Sequence, residues 1–184
     1  MKPQLASRIA AALVCSAALA HSPPASASTR LSGKQLVETD LPVLEQAYRA
    51  LHPGLLRYNT EAQLDARFAG LKAAWSRDQT LAEAYLSLSI FLAQLKCGHT
   101  YANFFNQKAE VAAEVFGGQT RVPFQFRWLS ERLIITRNFS ESKALEPGTE
   151  VLAINRVPAA LILAKLMTVA RADGSNDAKR RSLL

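Results

Sequence analysis

The sequence predicts an α+β protein, with a small helical bundle in its N-terminal half followed by a small β module that carries a helix. Two observations lead there. Apolar residues recur at the three- and four-residue spacing of one-sided helices through the first half of the chain, with short joints between the runs. From Val122 the spacing drops to two, the alternation of a strand with one face packed on a core.

A leader precedes both parts. Lys2 and Arg8 stand at the start without an acid, an uncharged Ala-rich run follows from Ile9 to Ala20, and Ala25-Ser26-Ala27 supplies a small-x-small cleavage site. That order is the pattern of a secretory signal peptide. Its apolar run falls short of the roughly 20 residues of a membrane span. Residues 1–27 are therefore expected to be removed near Ala27, leaving a protein that is exported to the periplasm or the extracellular space. Cys15 leaves with them, with bulky Val14 before it, which argues against a lipoprotein anchor.

The first element of the mature chain is a lead-in from Ser28 to Thr39. Asp40 is then expected to cap a helix with Pro42 in its first turn. Leu41, Leu44, Ala47, Tyr48 and Leu51 form its apolar face, and His52-Pro53-Gly54 ends it. Thr60-x-x-Gln63 reads as the capping box of a second helix with the stripe Leu64, Phe68, Leu71 and Trp75. Thr80-x-x-Glu83 opens a third, with Leu81, Ala84, Tyr85, Leu88, Phe91, Leu92 and Leu95 inward and Gly98 as its C-terminal cap. These make the helical domain, residues 28–98.

Residues 99–184 make the second part. His99 to Phe105 reads as a strand, Gln107 to Phe116 as a short helix, and Gly117-Gly118 as a hinge. Phe124, Phe126 and Trp128 alternate on one face of a strand, Ser130-Glu131-Arg132 turns, and Leu133 to Thr136 returns as a hairpin. After Pro147-Gly148 a third strand is expected over Val151 to Ile154, a turn at Asn155-Arg156, a helix from Pro158 to about Ala170, and a loop at Asp173-Gly174-Ser175-Asn176. A further helix is expected to start near Asp177. The expectation is that more chain would follow.

Composition narrows the function. Outside the leader, twenty basic and fifteen acidic residues give a net charge of +5, spread out except at Lys179-Arg180-Arg181. Such a mild excess suits contact with anionic envelope polymers and does not argue for nucleic acid. No later segment is apolar and long enough to span a membrane. Cys97 remains alone, so no internal disulfide can form and the fold must stand on its core.

Cys97-Gly98-His99-Thr100 is the densest cluster of chemistry-bearing residues. A thiol and an imidazole two residues apart could act as a nucleophile pair or as part of a metal site. A structural zinc site, however, needs about four ligands, and the mature chain's Cys97, His52 and His99 do not stand at ligand-pair spacing. The expectation is a buried structural Cys97, a His99 hydrogen-bonded where helix becomes strand, no metal and no cofactor. Ser87, Ser89, Ser140 and Ser142 lie in no Gly-x-Ser-x-Gly turn or Ser-x-x-Lys helix, so no catalytic residue is assigned.

Four stretches together carry a resemblance. They are Leu51-His52-Pro53-Gly54-Leu55, Leu95-Lys96-Cys97-Gly98-His99-Thr100, Pro147-Gly148-Thr149-Glu150-Val151-Leu152-Ala153-Ile154-Asn155, and Arg171-Ala172-Asp173-Gly174-Ser175-Asn176. In this order the chain resembles the N-terminal half of exported serine peptidases of the tail-specific, or C-terminal-processing, family. The resemblance implies that the β part is PDZ-like, although it lacks a Gly-Leu-Gly-Phe-like loop for a peptide carboxylate. It also implies that a catalytic αβ domain with the nucleophilic serine would come afterwards. His99 and Thr100 are then candidate family-motif positions whose role the motif does not disclose. The expected function is the non-catalytic front portion of a peptidase acting on envelope proteins or peptides, inactive alone and prone to self-association. The alternative is a stand-alone exported module that binds a peptide or envelope component.

Overall fold

The computed structural model describes residues 28–117 and 121–184. The signal-peptide reading of residues 1–27, and Gly118 of the expected hinge, lie outside the described residues. The described chain is mixed α and β, and no helix in it is long and apolar enough to cross a membrane.

The segment expected as a lead-in is already structured. Strand β1 (Arg30–Leu31) pairs antiparallel with β2 (Gln79–Thr80), and Ser32 caps a first helical turn, α1 (Gly33–Gln35). Gly33 is required there, since a Cβ would lie 2.6 Å from the Arg77 carbonyl carbon. A π-turn, Leu36–Asp40, joins α1 directly to α2 (Leu41–Leu51). Asp40 is therefore helical and caps nothing. Pro42 has no N–H to give the ladder, and the widened turn, in which Leu41 N–H reaches Leu36 O, passes it without breaking the run. The face of α2 is also narrower than its spacing predicts: Leu41 is buried and Leu44 and Tyr48 are half-buried, but Ala47 and Leu51 are exposed.

Helices α3 (Glu61–Trp75) and α4 (Leu81–Gln94) begin where expected, and both capping boxes are complete, Thr60 with Gln63 and Thr80 with Glu83. All four stripe residues of α3 are buried and meet Phe91, Leu92 and Leu95 in the first core. The end of α4 differs from the sequence reading. Lys96, not Gly98, takes the left-handed conformation (φ 59°) that turns the chain away. Its strain is offset because Leu95 O accepts from buried Asn59 and Lys96 O accepts from Gly174 N–H. The segment from His99 to Phe105 is not a strand. Thr100 N–H bonds back to Cys97 O, and Asn103 Oδ1 accepts from Phe105 N–H, so local turns use the groups a ladder would need. Helix α5 (Ala109–Phe116) follows and packs on α4, Phe116 standing edge-on to Tyr85.

The hairpin of β3 (Phe124–Leu129) and β4 (Arg132–Asn138) turns at Ser130-Glu131, with Ser130 at φ 58° and Arg132 already in the strand. Phe124 and Trp128 are buried. A bulge between Gln125 and Phe126 leaves Phe126 half-buried against the same core. The expected third strand is two. Strand β5 (Glu150–Val151) pairs with β4, the chain breaks at exposed Leu152, and β6 (Ala153–Ile154) pairs with β7 (Val157–Pro158) through a turn at Asn155-Arg156. Helix α6 (Ala159–Met167) ends three residues earlier than expected, and its Ala159 and Leu163 close the second core over β3 and β4. Helix α7 (Asp177–Ser182) starts on an Asn176 cap.

Candidate functional site

Three of the turns singled out in the sequence meet beside the end of α4. The first is the stop of α2. His52 bonds through its N–H to Tyr48 O, and its ring stacks on the Tyr48 ring at 5.8 Å. Gly54 N–H donates to His52 Nδ1 at 3.2 Å. A neutral ring that accepts at Nδ1 carries its proton on Nε2, so Nε2 donates to Thr100 Oγ1 at 3.0 Å. Thr100 is buried, and the pair fastens the α2 stop to the turn that follows α4.

The second turn is Lys96 to Thr100 itself, held from beneath by Asn59. That buried amide donates to Leu55 O at 3.2 Å and Leu95 O at 3.0 Å, and its Oδ1 accepts from Arg67. Burial holds the Arg67 guanidinium below its ordinary range. The third turn, Asp173-Gly174, returns from the far end of the sequence. Gly98 N–H donates to Asp173 Oδ1 at 3.1 Å, and Gly174 N–H to Lys96 O at 2.9 Å. Both glycines pack closely in this fit. A Cβ on Gly98 would lie 3.0 Å from Asp173 Oδ2, and Gly174, at φ 60°, stands against the Tyr58 ring. Behind the turn, Arg180 donates to Ala170 O and Gly174 O, and Arg171 lies 3.3 Å over the Tyr101 ring.

The two candidate residues therefore face opposite ways. Thr100 is buried and structural in its contacts, while His99 is exposed. Cys97, expected to be buried, is half-exposed instead, because the reversal at Lys96 swings it out of the α4 stripe. Cys97, His99 and Asp173 form one group, with a ligand-capable atom of each within 4.8 Å of the others. The Tyr48 hydroxyl is raised from its ordinary value, first by burial and then by the nearby Cys97. Such a group can move a proton or offer a mixed sulfur, nitrogen and oxygen donor set. It holds no serine hydroxyl. Ser87 and Ser89 are bonded to carbonyls of their own helix, and Ser140 donates to Asn138.

No protein-family model, curated protein or solved structure matches this chain. Sequence reasoning reached His99 and Thr100 but missed Asp173 as their neighbour and Asn59 and Tyr58 as supports. The only signal for Asp173 was its place in the fourth motif stretch. Asn59 carried none, since an Asn before a capping Thr reads as an ordinary turn.

Proposed function

We propose that this chain is the non-catalytic helical and PDZ-like portion of an exported serine peptidase resembling the tail-specific family, with envelope proteins or peptides as the substrates of the whole enzyme. One observation carries the reading. Three of the four stretches behind the resemblance, at His52, at Cys97 to Thr100 and at Asp173-Gly174, converge through direct hydrogen bonds although they are far apart in sequence. Unrelated short matches would have no reason to meet. The remaining stretch forms β5 and β6 of the β part, where α6 packs on the hairpin as a PDZ-like module would require.

In this reading the half-buried His52–Thr100 pair and buried Asn59 hold a rim on which His99 stands exposed beside Asp173. Export follows from the leader, with Ser28 as the first residue of the mature protein.

The test is to isolate the native gene product from the envelope, sequence its N-terminus and treat it with a serine-directed phosphonate. A start at Ser28 and a labelled serine outside the 184 residues are expected, while the 184-residue chain alone leaves casein uncut. A native product that ends at Leu184 and takes no label would overturn the peptidase reading in favour of a binding module.

A further inference from the structure

We infer that Cys97, His99 and Asp173 form a binding site for one divalent cation of the zinc class, held by the thiolate, an imidazole nitrogen and the free carboxylate oxygen. The donor set is the first ground. Sulfur, nitrogen and carboxylate oxygen are the three ligand types zinc takes from proteins, and three of them with an open fourth position make a common coordination pattern. Spacing is the second. The three donor atoms already lie within 4.8 Å of one another. A tetrahedral zinc ion with bonds of about 2.0–2.3 Å needs its donors roughly 3.5 Å apart. The three side chains that would close that difference are exposed or half-exposed.

The backbone beneath is the third ground, because it is braced before any ion arrives. Gly98 N–H occupies Asp173 Oδ1, which leaves Oδ2 free, and the bond from Gly174 N–H to Lys96 O locks the two loops together across a separation of about 75 residues. A ligating carboxylate that is itself hydrogen-bonded is a regular feature of such sites. His52 is not part of the set, since both its ring nitrogens are engaged by Gly54 and Thr100. With His99 and Asp173 exposed, the fourth position faces solvent and is filled by water. Binding displaces the thiol proton, so affinity falls as pH falls. The ion would staple the turn after α4 to the Asp173 turn.

The experiment is cobalt(II) titration of the purified, reduced, metal-free protein, followed by zinc competition and thermal melts with and without zinc. One cobalt per chain is expected, with thiolate-to-cobalt charge-transfer absorption that zinc abolishes, and a melting temperature that rises with zinc. Cys97→Ser should remove the charge-transfer band. His99→Ala and Asp173→Asn should each weaken binding by about tenfold or more. Asp173→Asn keeps an acceptor for Gly98 N–H, and metal-free melts equal to wild type separate lost ligation from lost folding. No cobalt binding, or binding undiminished in Cys97→Ser, would overturn the site. Either result leaves the peptidase reading untouched, because phosphonate labelling reads a serine elsewhere.

Discussion

At Asn59 one side-chain amide serves three partners: the carbonyls that end two segments, Leu55 O and Leu95 O, and the guanidinium of Arg67. Removing it strands buried acceptors rather than merely deleting bonds, and stranded polar groups cost about 1–3 kcal/mol each. Asn59→Ala is therefore expected to destabilise the protein by about 2–4 kcal/mol in urea unfolding, and an unchanged midpoint would show that water replaces the amide. Nothing in the residues around Asn59 announces this role, because two of its three partners are carbonyls whose orientation depends on how α2 and α4 end. His99 and Thr100 were legible as a motif but not as two roles. Adjacent side chains diverge here because the turn closed by Thr100 N–H to Cys97 O buries one and exposes the other.

The two helices with capping boxes begin where their local signals place them. The capping boxes of α3 and α4 need only four residues each, so they are readable without knowledge of the rest of the fold. Thr80→Ala should cost about 1 kcal/mol, measured by chemical denaturation. The same box has a pH signature. Glu83 is held below its ordinary carboxylate range, chiefly by the Thr80 backbone N–H and then by the Thr80 hydroxyl. A lowered folded-state value means that the contribution is complete above the ordinary glutamate pKa and is lost as pH falls through the lowered one. Glu83→Gln, which keeps an acceptor, should flatten that part of the acid arm of the stability curve; an arm identical to wild type would count against it. The segment after α4 departed from expectation through local turns, and two other departures came through non-local partners. Strand β1 exists because β2 pairs with it, and α4 stops on Lys96 because Asn59 and Gly174 take its last carbonyls.

At the scale of the molecule, two apolar cores stand side by side, one among α2, α3 and α4 and one beneath the hairpin and α6. In the order β3-β4-β5, strand β3 has no strand partner on its outer side among the described residues. Phe105 and Leu152, each about three-quarters exposed, add apolar surface elsewhere. An open strand edge pairs readily with an extended peptide or another copy. Sedimentation should accordingly show mass rising with concentration, and a strict monomer at every concentration would refute the expectation. Phe126 stands edge-on to both Phe124 and Trp128. Phe126→Asp should lower stability by several kcal/mol through an unpaired charge against that core; an unshifted melt would place the bulged side chain in water instead.

The sequence by itself determined the α+β class, the starts of α3 and α4, the hairpin and the inward faces of Phe124 and Trp128. Each depends on contacts within one helical turn or on the alternation of a single strand, and such contacts travel with the local residues. Only the tertiary structure decided what surrounds Cys97 and His99. Their neighbour Asp173 lies some 75 residues away along the chain, and no local period encodes a bond between two loops. That meeting depends on a left-handed Lys96 and on a Gly174 small enough to pass the Tyr58 ring.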